Sequence, residues 1–389
     1  MRLAIVASHP VQYQSPLFRE LAGQLDLTVF YAHRATPEDQ AAAGFGVSFD
    51  WDIDLFDGFE SRFLRNASNR PGVSHFSGCD TPGIGPELKR GGYGALLVMG
   101  WHLKCYVQAI WAAKRLGMAV MVRGDSQMST PRAAWKRVAK RAVYPAALRV
   151  FDAALYVGTR SRAYYEHYSY PGNRLFFSPH CVDNEWFASR ATDAARRDLR
   201  AKWGVGPETA CILFAGKLLP LKRPLDLIAA ASGLRPEMPD IAILVAGSGE
   251  LEGAMAERAR QEGIRLVHLG FCNQSEMPGV YAAADVMVLP SEHETWGLVA
   301  NEALACGKPV ILSDACGAAS DLTGGRAGLS YPAGDIEALQ AALSQMLLSP
   351  PDRLEIAQLA ERCSLGAAAA GVSAALASIR PGRFAIEND

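Results

Sequence analysis

The stretch ADVMVLPSEHETWGLVANEALACGKPVIL, Ala284 to Leu312, decides how this chain folds. Val286, Met287, Val288 and Leu289 form a short, continuous apolar run rich in β-branched residues, the mark of a strand covered on both faces. Pro290 ends that run. After Trp296 the period changes to that of a helix, which Gly307 and Pro309 close before Val310, Ile311 and Leu312 begin a second strand. The unit is strand, helix, strand, and parallel strands need such a crossover. Two carboxylates, Glu294 and Glu302, interrupt the pattern where core residues are expected. Their place, just beyond the carboxyl end of a buried strand, asks for a chemical reason.

The same alternation runs from end to end. Strands are expected at Leu3–Ser8, Leu27–Tyr31, Leu96–Met99, Ala119–Val122, Ala153–Val157 and Leu175–Ser178, and again at Cys211–Ala215, Ile241–Ala246, Leu266–Leu269, Val286–Leu289 and Val310–Leu312. Helical segments lie between them. This predicts an α/β chain of two Rossmann-like, doubly wound parallel sheets facing across a cleft. A length of 389 residues suits two cores. The polar stretch Trp186–Gly206 is read as the boundary, giving domains 1–185 and 186–364. LGAAAAGVSAALASI (Leu365–Ile379) reads as a small-residue helix, with a polar, fraying tail to residue 389.

Composition excludes several classes. With 49% hydrophobic residues, 20% charged residues and a net charge of −1, there is no overall basic footprint for nucleic acid. Eight scattered cysteines without a CxxC pair suggest neither a disulfide framework nor a zinc site, so reduced thiols are expected. The apolar run Leu3–Ala7 is a first strand, too short for a signal peptide. No run approaches the roughly 18 apolar residues of a membrane span.

Ligands of such sheets bind outside the carboxyl ends of the strands. A helix starting near Gly297 or Leu298 offers free amides and a positive dipole end to an anion, and Gly297 allows close approach. Glu302, one turn in, and Glu294 can each accept from paired hydroxyls. An anion flanked by two polyols describes a nucleotide sugar. The plainer alternative is a helix-dipole carboxylate beside an exposed glutamate. In FAGKLLPLKRPLDLIAA (Phe214–Ala230) the strand ends at Gly216, followed by Lys217, and Lys222 and Arg223 open the next helix ahead of Pro224. Cations there oppose the helix dipole and call for an anion such as a diphosphate. ILVAGSGELEG (Ile243–Gly253) imitates a dinucleotide fingerprint, but its spacing is GxGxxxG and no acidic ribose partner follows, so NAD is not expected.

Three polar or aromatic loops stand at strand ends in the first half: SHPVQYQSPLF with His9, Gln12 and Tyr13; MGWHLKC with Trp101 and His102; and VRGDSQMS with Arg123, Asp125 and Ser126. In the first of these, Ser15-Pro16 reads as a helix N-cap and first-turn pair. PHCVDNEWF adds His180, and Asp183 as a turn cap. Together they are candidates for contacting an acceptor or the sugar. TPRAAWKRVAKRAVYPAALR (Thr130–Arg149) is basic and amphipathic. It fits either a peripheral membrane surface over residues 132–149 or a sheet-packing helix with a solvated outer face.

These motifs resemble the retaining glycosyltransferases of family 4, which have the two-domain GT-B fold. FAGKLLPLKRPLDLIAA, LVAGSGELE and ADVMVLPSEHETWGLVANEALACGKPVI, the last with its E-x7-E spacing, carry the likeness. FFSPHCVDNEWF is similar to the family's domain junction. The resemblance implies that Glu294 contacts the donor sugar, Glu302 the donor ribose, and Lys217 and Lys222 the departing diphosphate, with amides at Gly297–Leu298. Gly216 and Trp296 complete the expected donor set. The last helix would cross back to the N-terminal domain. Lys217 stands where Arg is common, His9-Pro10-Val11-Gln12 where a Gly-Gly pair is, and Arg123-Gly124-Asp125-Ser126 where a histidine is. The implied reaction moves a sugar from a UDP- or GDP-sugar to a hydroxyl of a glycan, lipid-linked or small-molecule acceptor. A bacterial surface polysaccharide or glycoconjugate pathway is implied, in the cytoplasm or at the inner face of the cytoplasmic membrane. No cofactor or metal is expected, and no Asp-x-Asp cluster marks a Mg²⁺ site. A GT-B epimerase or phosphorylase, or a non-catalytic nucleotide-sugar-binding subunit, would use the same donor pocket.

Overall fold

The computed structural model describes residues 1–41, 47–129 and 134–379. The chain divides into two compact units. The first holds Met1–Ala35, Asp54–His180 and the segment from Leu365; the second holds Thr36–Ile53 and Cys181–Ser364. The boundary at residues 180 and 181 lies a few residues before the expected 185/186.

The first unit is built on a seven-stranded sheet: β1 (Leu3–Ala7), β2 (Leu27–Tyr31), β3 (Glu60–Phe63), β4 (Ala95–Val98), β5 (Ala119–Gly124), β6 (Ala153–Tyr156) and β7 (Leu175–Phe177), in the order β3-β2-β1-β4-β5-β6-β7. The second has six: β8 (Ala210–Ala215), β9 (Ile241–Ala246), β10 (Arg265–Gly270), β11 (Val286–Leu289), β12 (Val310–Ser313) and β13 (Gly328–Tyr331), in the order β10-β9-β8-β11-β12-β13. Every ladder is parallel; Cys211 pairs with Ala242 on one side of β8 and Ile212 with Val286 on the other. Strands β1, β4 and β11 are buried throughout, and β8 from Cys211 onward, because helices cover both faces. Both orders reverse direction at one point, between β1 and β4 and between β8 and β11. These are the switch points at which helices leave on opposite faces and a crevice opens.

Every strand read from the sequence is present, within two residues at each end. The edge strands β3 and β13 were not foreseen. Glu60–Phe63 alternates exposed and half-buried, and Gly328–Tyr331 is short, so neither has the apolar run that marks a central strand. The polar stretch Trp186–Gly206 is no linker. It contributes the helices Asn184–Arg190 and Asp193–Lys202 to the second unit. Arg200 is buried, donating to Asp285 Oδ2 at 2.8 Å and to the carbonyls of Ala283 and Thr209, while Arg196 reaches Asp285 Oδ1 at 2.7 Å. A charge-rich helix is thereby latched to the start of β11.

Residues 36–53 leave the first unit's sequence order and join the second. Phe49 lies 4.2 Å from Phe271 between ring centroids, Asn273 Nδ2 donates to the Asp50 carbonyl at 2.8 Å, and the Ser275 amide donates to Asp52 at 3.1 Å. The last helix, Leu365–Ser378, belongs to the first unit, where Ser178 Oγ donates to the Ala368 carbonyl at 2.9 Å. Its small residues permit that approach: a Cβ on Gly371 would stand 1.8 Å from the Phe177 carbonyl oxygen. The tail from residue 380 lies outside the described residues.

Helix Ala134–Ala147 turns its apolar residues outward, which corrects the reading of a solvated polar outer face: Trp135, Val138 and Val143 are 69%, 70% and 58% exposed. Residues 132 and 133 of that segment lie outside the described residues. Among the described residues no helix is long and apolar enough to cross a membrane. All eight cysteines are free thiols, and all but Cys272 are buried.

Candidate active site

The crevice of the second unit lies between β8 and β11, and the loops leaving these two strands carry Lys217, Lys222, Glu294 and Gly297. After β8 the chain runs through Gly216 and Lys217 into a 3-10 turn, Pro220–Lys222, and then to Arg223 and the helix Pro224–Leu234. Arg223 has φ 49°, a left-handed conformation uncommon for a residue with a side chain. Its guanidinium is held by Asp226 Oδ2 at 2.6 Å and Glu292 Oε2 at 3.8 Å. The cations do not crown the helix unopposed, as the sequence suggested; each has an internal carboxylate.

After β11 the loop 290–297 turns into helix Leu298–Ala305 through Gly297, whose φ is 105°. A Cβ there would stand 2.6 Å from Leu289 Cδ2. This loop is braced from three sides. The Glu292 amide donates to the Leu221 carbonyl at 2.8 Å, which ties it to the β8 loop. The Gly317 amide donates to the Glu294 carbonyl at 2.9 Å and the Ala318 amide to the Trp296 carbonyl at 3.0 Å. Ser313 Oγ also donates to the Ser291 carbonyl.

Lys222 Nζ and Glu294 Oε2 form an ion pair in this crevice, with the two side chains 16% and 21% exposed. Lys217 is close to both. Burial lowers its pKa from the usual lysine value, Lys222 lowers it further, and Glu294 opposes them. Glu302 is buried on the first turns of its helix and accepts from Tyr281 Oη at 2.7 Å. Burial pushes its carboxyl up to about 7, against the pull of that hydrogen bond. Trp296 is buried, its indole N–H donating to Asn301 Oδ1 at 2.8 Å, so it shapes the loop from inside. Leu298 is half-buried at the helix start.

A stability test follows from Glu302. Its folded pKa is raised above the unfolded value, so the folded state holds the extra proton and loses that advantage as pH rises from about 4.5 to about 7. Glu302→Gln should flatten this part of the profile. Thermal melts of both proteins across that range check it, and parallel profiles would contradict it.

The glycines of the false dinucleotide fingerprint have a packing role. Gly247 has φ 148°, and a Cβ on it would stand 1.9 Å from the Gly216 carbonyl oxygen. A Cβ on Gly249 would stand 2.6 Å from the Leu218 carbonyl oxygen. The β9 loop therefore presses on the β8 loop and supports Lys217, with the Leu218 amide donating to the Ser248 carbonyl at 2.9 Å.

In the first unit, a polar group gathers at the carboxyl ends of β1, β4, β5 and β7. The Tyr13 ring meets the His180 ring edge-on at 6.0 Å, and His180 Nε2 lies 3.9 Å from Asp125 Oδ2. Asp125 is half exposed, yet the protein mass around it raises its carboxyl pKa, against the pull of its own backbone amide, Arg123 and His102. Burial lowers the His102 pKa and Asp125 raises it. His180 is held well below the usual value by burial and then by Arg123. Arg123 is buried and spends its guanidinium on Ser178 and on the Pro179 carbonyl, fixing the strand end that presents His180. His9 pairs through Nδ1 with Ser8 Oγ at 2.9 Å, and Gln12 is half-buried on the same loop. Ser15 is the first helical residue rather than the cap, its hydroxyl donating to the Val11 carbonyl. Asp183 does cap: it accepts from the Trp186 amide at 3.0 Å.

Sequence reasoning missed Tyr281, Asn301 and the 313–318 loop. A tyrosine within the small-residue run GVYAAAD was the one available signal.

The two sheet orders with their paired switch points match known structures over nearly the whole chain. HepE of Anabaena in complex with UDP superposes with a TM-score of 0.72 at 16% identity, covering 97% of this chain and 100% of that one. The fold is GT-B. Sucrose-phosphate synthase of Thermosynechococcus elongatus gives a TM-score of 0.61 at 18% identity, with 97% of each chain covered. Residues 195–362 match the family model of glycosyl transferases group 1, and this span holds the whole Lys217–Lys222–Glu294–Glu302 group. D-inositol 3-phosphate glycosyltransferase of Pseudarthrobacter chlorophenolicus is 35% identical over 192 residues, 46% of this chain and 44% of that protein. The enzyme of the same name from Kribbella flavida is 36% identical over 184 residues, 44% of this chain and 42% of that protein. The match thus spans less than half the length of these curated relatives.

Proposed function

We propose that this chain is a retaining glycosyltransferase of the family 4 type, which moves a sugar from a UDP- or GDP-sugar to a hydroxyl acceptor. The observation that carries the reading is the grouping of Lys217, Lys222, Glu294 and the Leu298–Ala305 amino terminus at one switch point. The cations and free amides can hold a diphosphate. As the anomeric bond breaks, they meet the negative charge growing on it, the preorganised electrostatics that lower such barriers. In this reading no metal is needed for that step. Glu302, at the base of the crevice, accepts from the ribose hydroxyls, and Tyr281 holds it in place.

The Lys222–Glu294 pair connects the two halves of donor recognition. A diphosphate competes for the ammonium and releases the Glu294 carboxylate, which then accepts from sugar hydroxyls. The ion pair is thereby exchanged for two sets of charge-assisted hydrogen bonds. The acceptor, a hydroxyl on a glycan, lipid-linked or small molecule, is read by Tyr13, His102, Asp125 and His180 of the first unit. The inositol phosphate glycosyltransferases and the UDP complex of HepE support the reaction class.

The test is nucleotide release from a panel of nucleotide sugars, with and without acceptor alcohols, and NMR of the product anomer. Acceptor-dependent release with retained configuration is expected. Release of free or isomerised sugar would point to an epimerase or phosphorylase, and binding without turnover to a sensor. Glu294→Ala should lower kcat about 100-fold with nucleotide affinity changed by less than about threefold. Unchanged turnover would refute its assignment.

A further inference from the structure

The two helices on either side of β4 leave a groove on the first unit. Helix Ile84–Gly91 leads into β4, and helix Lys104–Arg115 leads out of it towards β5. They come close where Gly85 meets Ala112: a Cβ on the glycine would stand 3.6 Å from the Ala112 Cβ. Beside that contact lies a cavity of about 700 Å³. Pro86, Trp111, Ala112 and Leu116 give it an apolar lining, and Lys89, Arg90 and Arg115 a cationic one. Trp111 is 58% exposed and Leu116 40%, although the other face of the helix, with Tyr106, Ala109 and Ala113, is buried in the core. Both helices end a few residues before a strand begins, so the cations stand at the amino ends of β4 and β5. His102 and Asp125 lie at the opposite ends of these strands, and the groove is separate from the polar group there.

Basic residues in a last helical turn have an ordinary role, since they complement the helix dipole. That role accounts for the charges and leaves the apolar lining between them without a purpose. Arg90 has Glu87 at 3.2 Å. Among the described residues, neither Lys89 nor Arg115 has a carboxylate within ion-pair distance. The Arg115 guanidinium rests 3.4 Å from the Trp111 ring centroid, held at the edge of the groove by the indole.

Charge and size together select the occupant. A second copy of this face would set Lys89, Arg90 and Arg115 against their own counterparts. An inorganic anion would meet the cations and leave Trp111 and Leu116 in water. A neutral apolar molecule would do the reverse. The volume is that of a small-molecule site. We propose that the groove between helices Ile84–Gly91 and Lys104–Arg115 binds a single small organic anion, an acyl or aryl body ending in a carboxylate or phosphate. The body lies along Trp111 and Leu116, and the charged end meets Lys89 and Arg115. The inference stands on this groove alone and is independent of the donor reading.

Fluorine NMR of the full chain labelled with 5-fluorotryptophan tests it. The chain has seven tryptophans, and the Trp111 resonance is the one lost in Trp111→Phe. Below its micelle-forming concentration, dodecanoate should shift that resonance saturably. Dodecyltrimethylammonium, with the same chain and the opposite charge, should bind at least about tenfold more weakly, and acetate should leave the resonance unmoved. Lys89→Gln with Arg115→Gln should weaken dodecanoate binding at least about tenfold, the loss expected for two hydrogen bonds to a charged group. Far-UV circular dichroism should not change, because both positions are exposed. Four results would overturn the proposal: a Trp111 resonance that dodecanoate does not move, equal binding of the cationic amphiphile, indifference to the double substitution, or a concentration-dependent dimer that shifts the same resonance without ligand.

Discussion

Lys222→Ala is expected to lower kcat for sugar transfer about 10³-fold, the range found when one preorganised donor to a developing negative charge is removed. Lys222 ends a short turn whose next residue, Arg223, is held in a left-handed conformation, so its ammonium is delivered to one place. The lysine is largely buried against Glu294 and lies close to Lys217. Two neighbouring ammonium groups repel each other, and that repulsion is relieved most when an anion gains charge between them. The effect therefore falls on the transition state more than on the bound donor, and KM should move far less than kcat. Lys222→Arg should restore only part of the rate, because the charge returns on a longer, planar group. Steady-state kinetics beside a thermal melt separates a catalytic loss from an unfolded protein. Full turnover in a folded Lys222→Ala would remove the leaving-group role.

The second large effect concerns Gly247 and its neighbour in the same motif, Gly253. Gly247→Val is expected to destabilise the second unit by about 3 kcal/mol or more. The new Cβ would meet the Gly216 backbone at 1.9 Å in a conformation that side chains rarely adopt, and a carbonyl cannot rotate out of the way as a side chain can. The β8 loop would have to shift, and Lys217 with it. Gly253 lies inside helix Glu252–Glu262 with open space around it. Gly253→Ala should be neutral or stabilise by up to about 1 kcal/mol. Chemical denaturation of the two variants checks the contrast. Equal behaviour would mean that the glycines are not spaced for loop packing.

The sequence revealed the parts of the fold that depend on local pattern. Central strands such as Val286–Leu289 are buried on both faces and announce themselves as apolar runs, whereas the edge strand Glu60–Phe63 does not. Phe49, Asp50 and Asp52 meet Phe271, Asn273 and Ser275, more than two hundred positions away, and no local pattern encodes such a contact. At the site, Glu294 and Glu302 stood out because carboxylates are rare in apolar surroundings. Tyr281 and Asn301 did not, because a buried tyrosine and a helical asparagine are ordinary until their partners are known. Period alone also left helix Ala134–Ala147 ambiguous. It defines two faces without saying which one the sheet receives.

The central claim is that the cations and free amides at the β8–β11 switch point receive a diphosphate. A crystal structure of the protein with a nucleoside diphosphate tests this most directly. The account predicts phosphate oxygens within about 3 Å of Lys222 Nζ and the Gly297–Leu298 amides, with Glu294 released from the lysine. Phosphates bound elsewhere, with the Lys222–Glu294 pair unbroken, would contradict it.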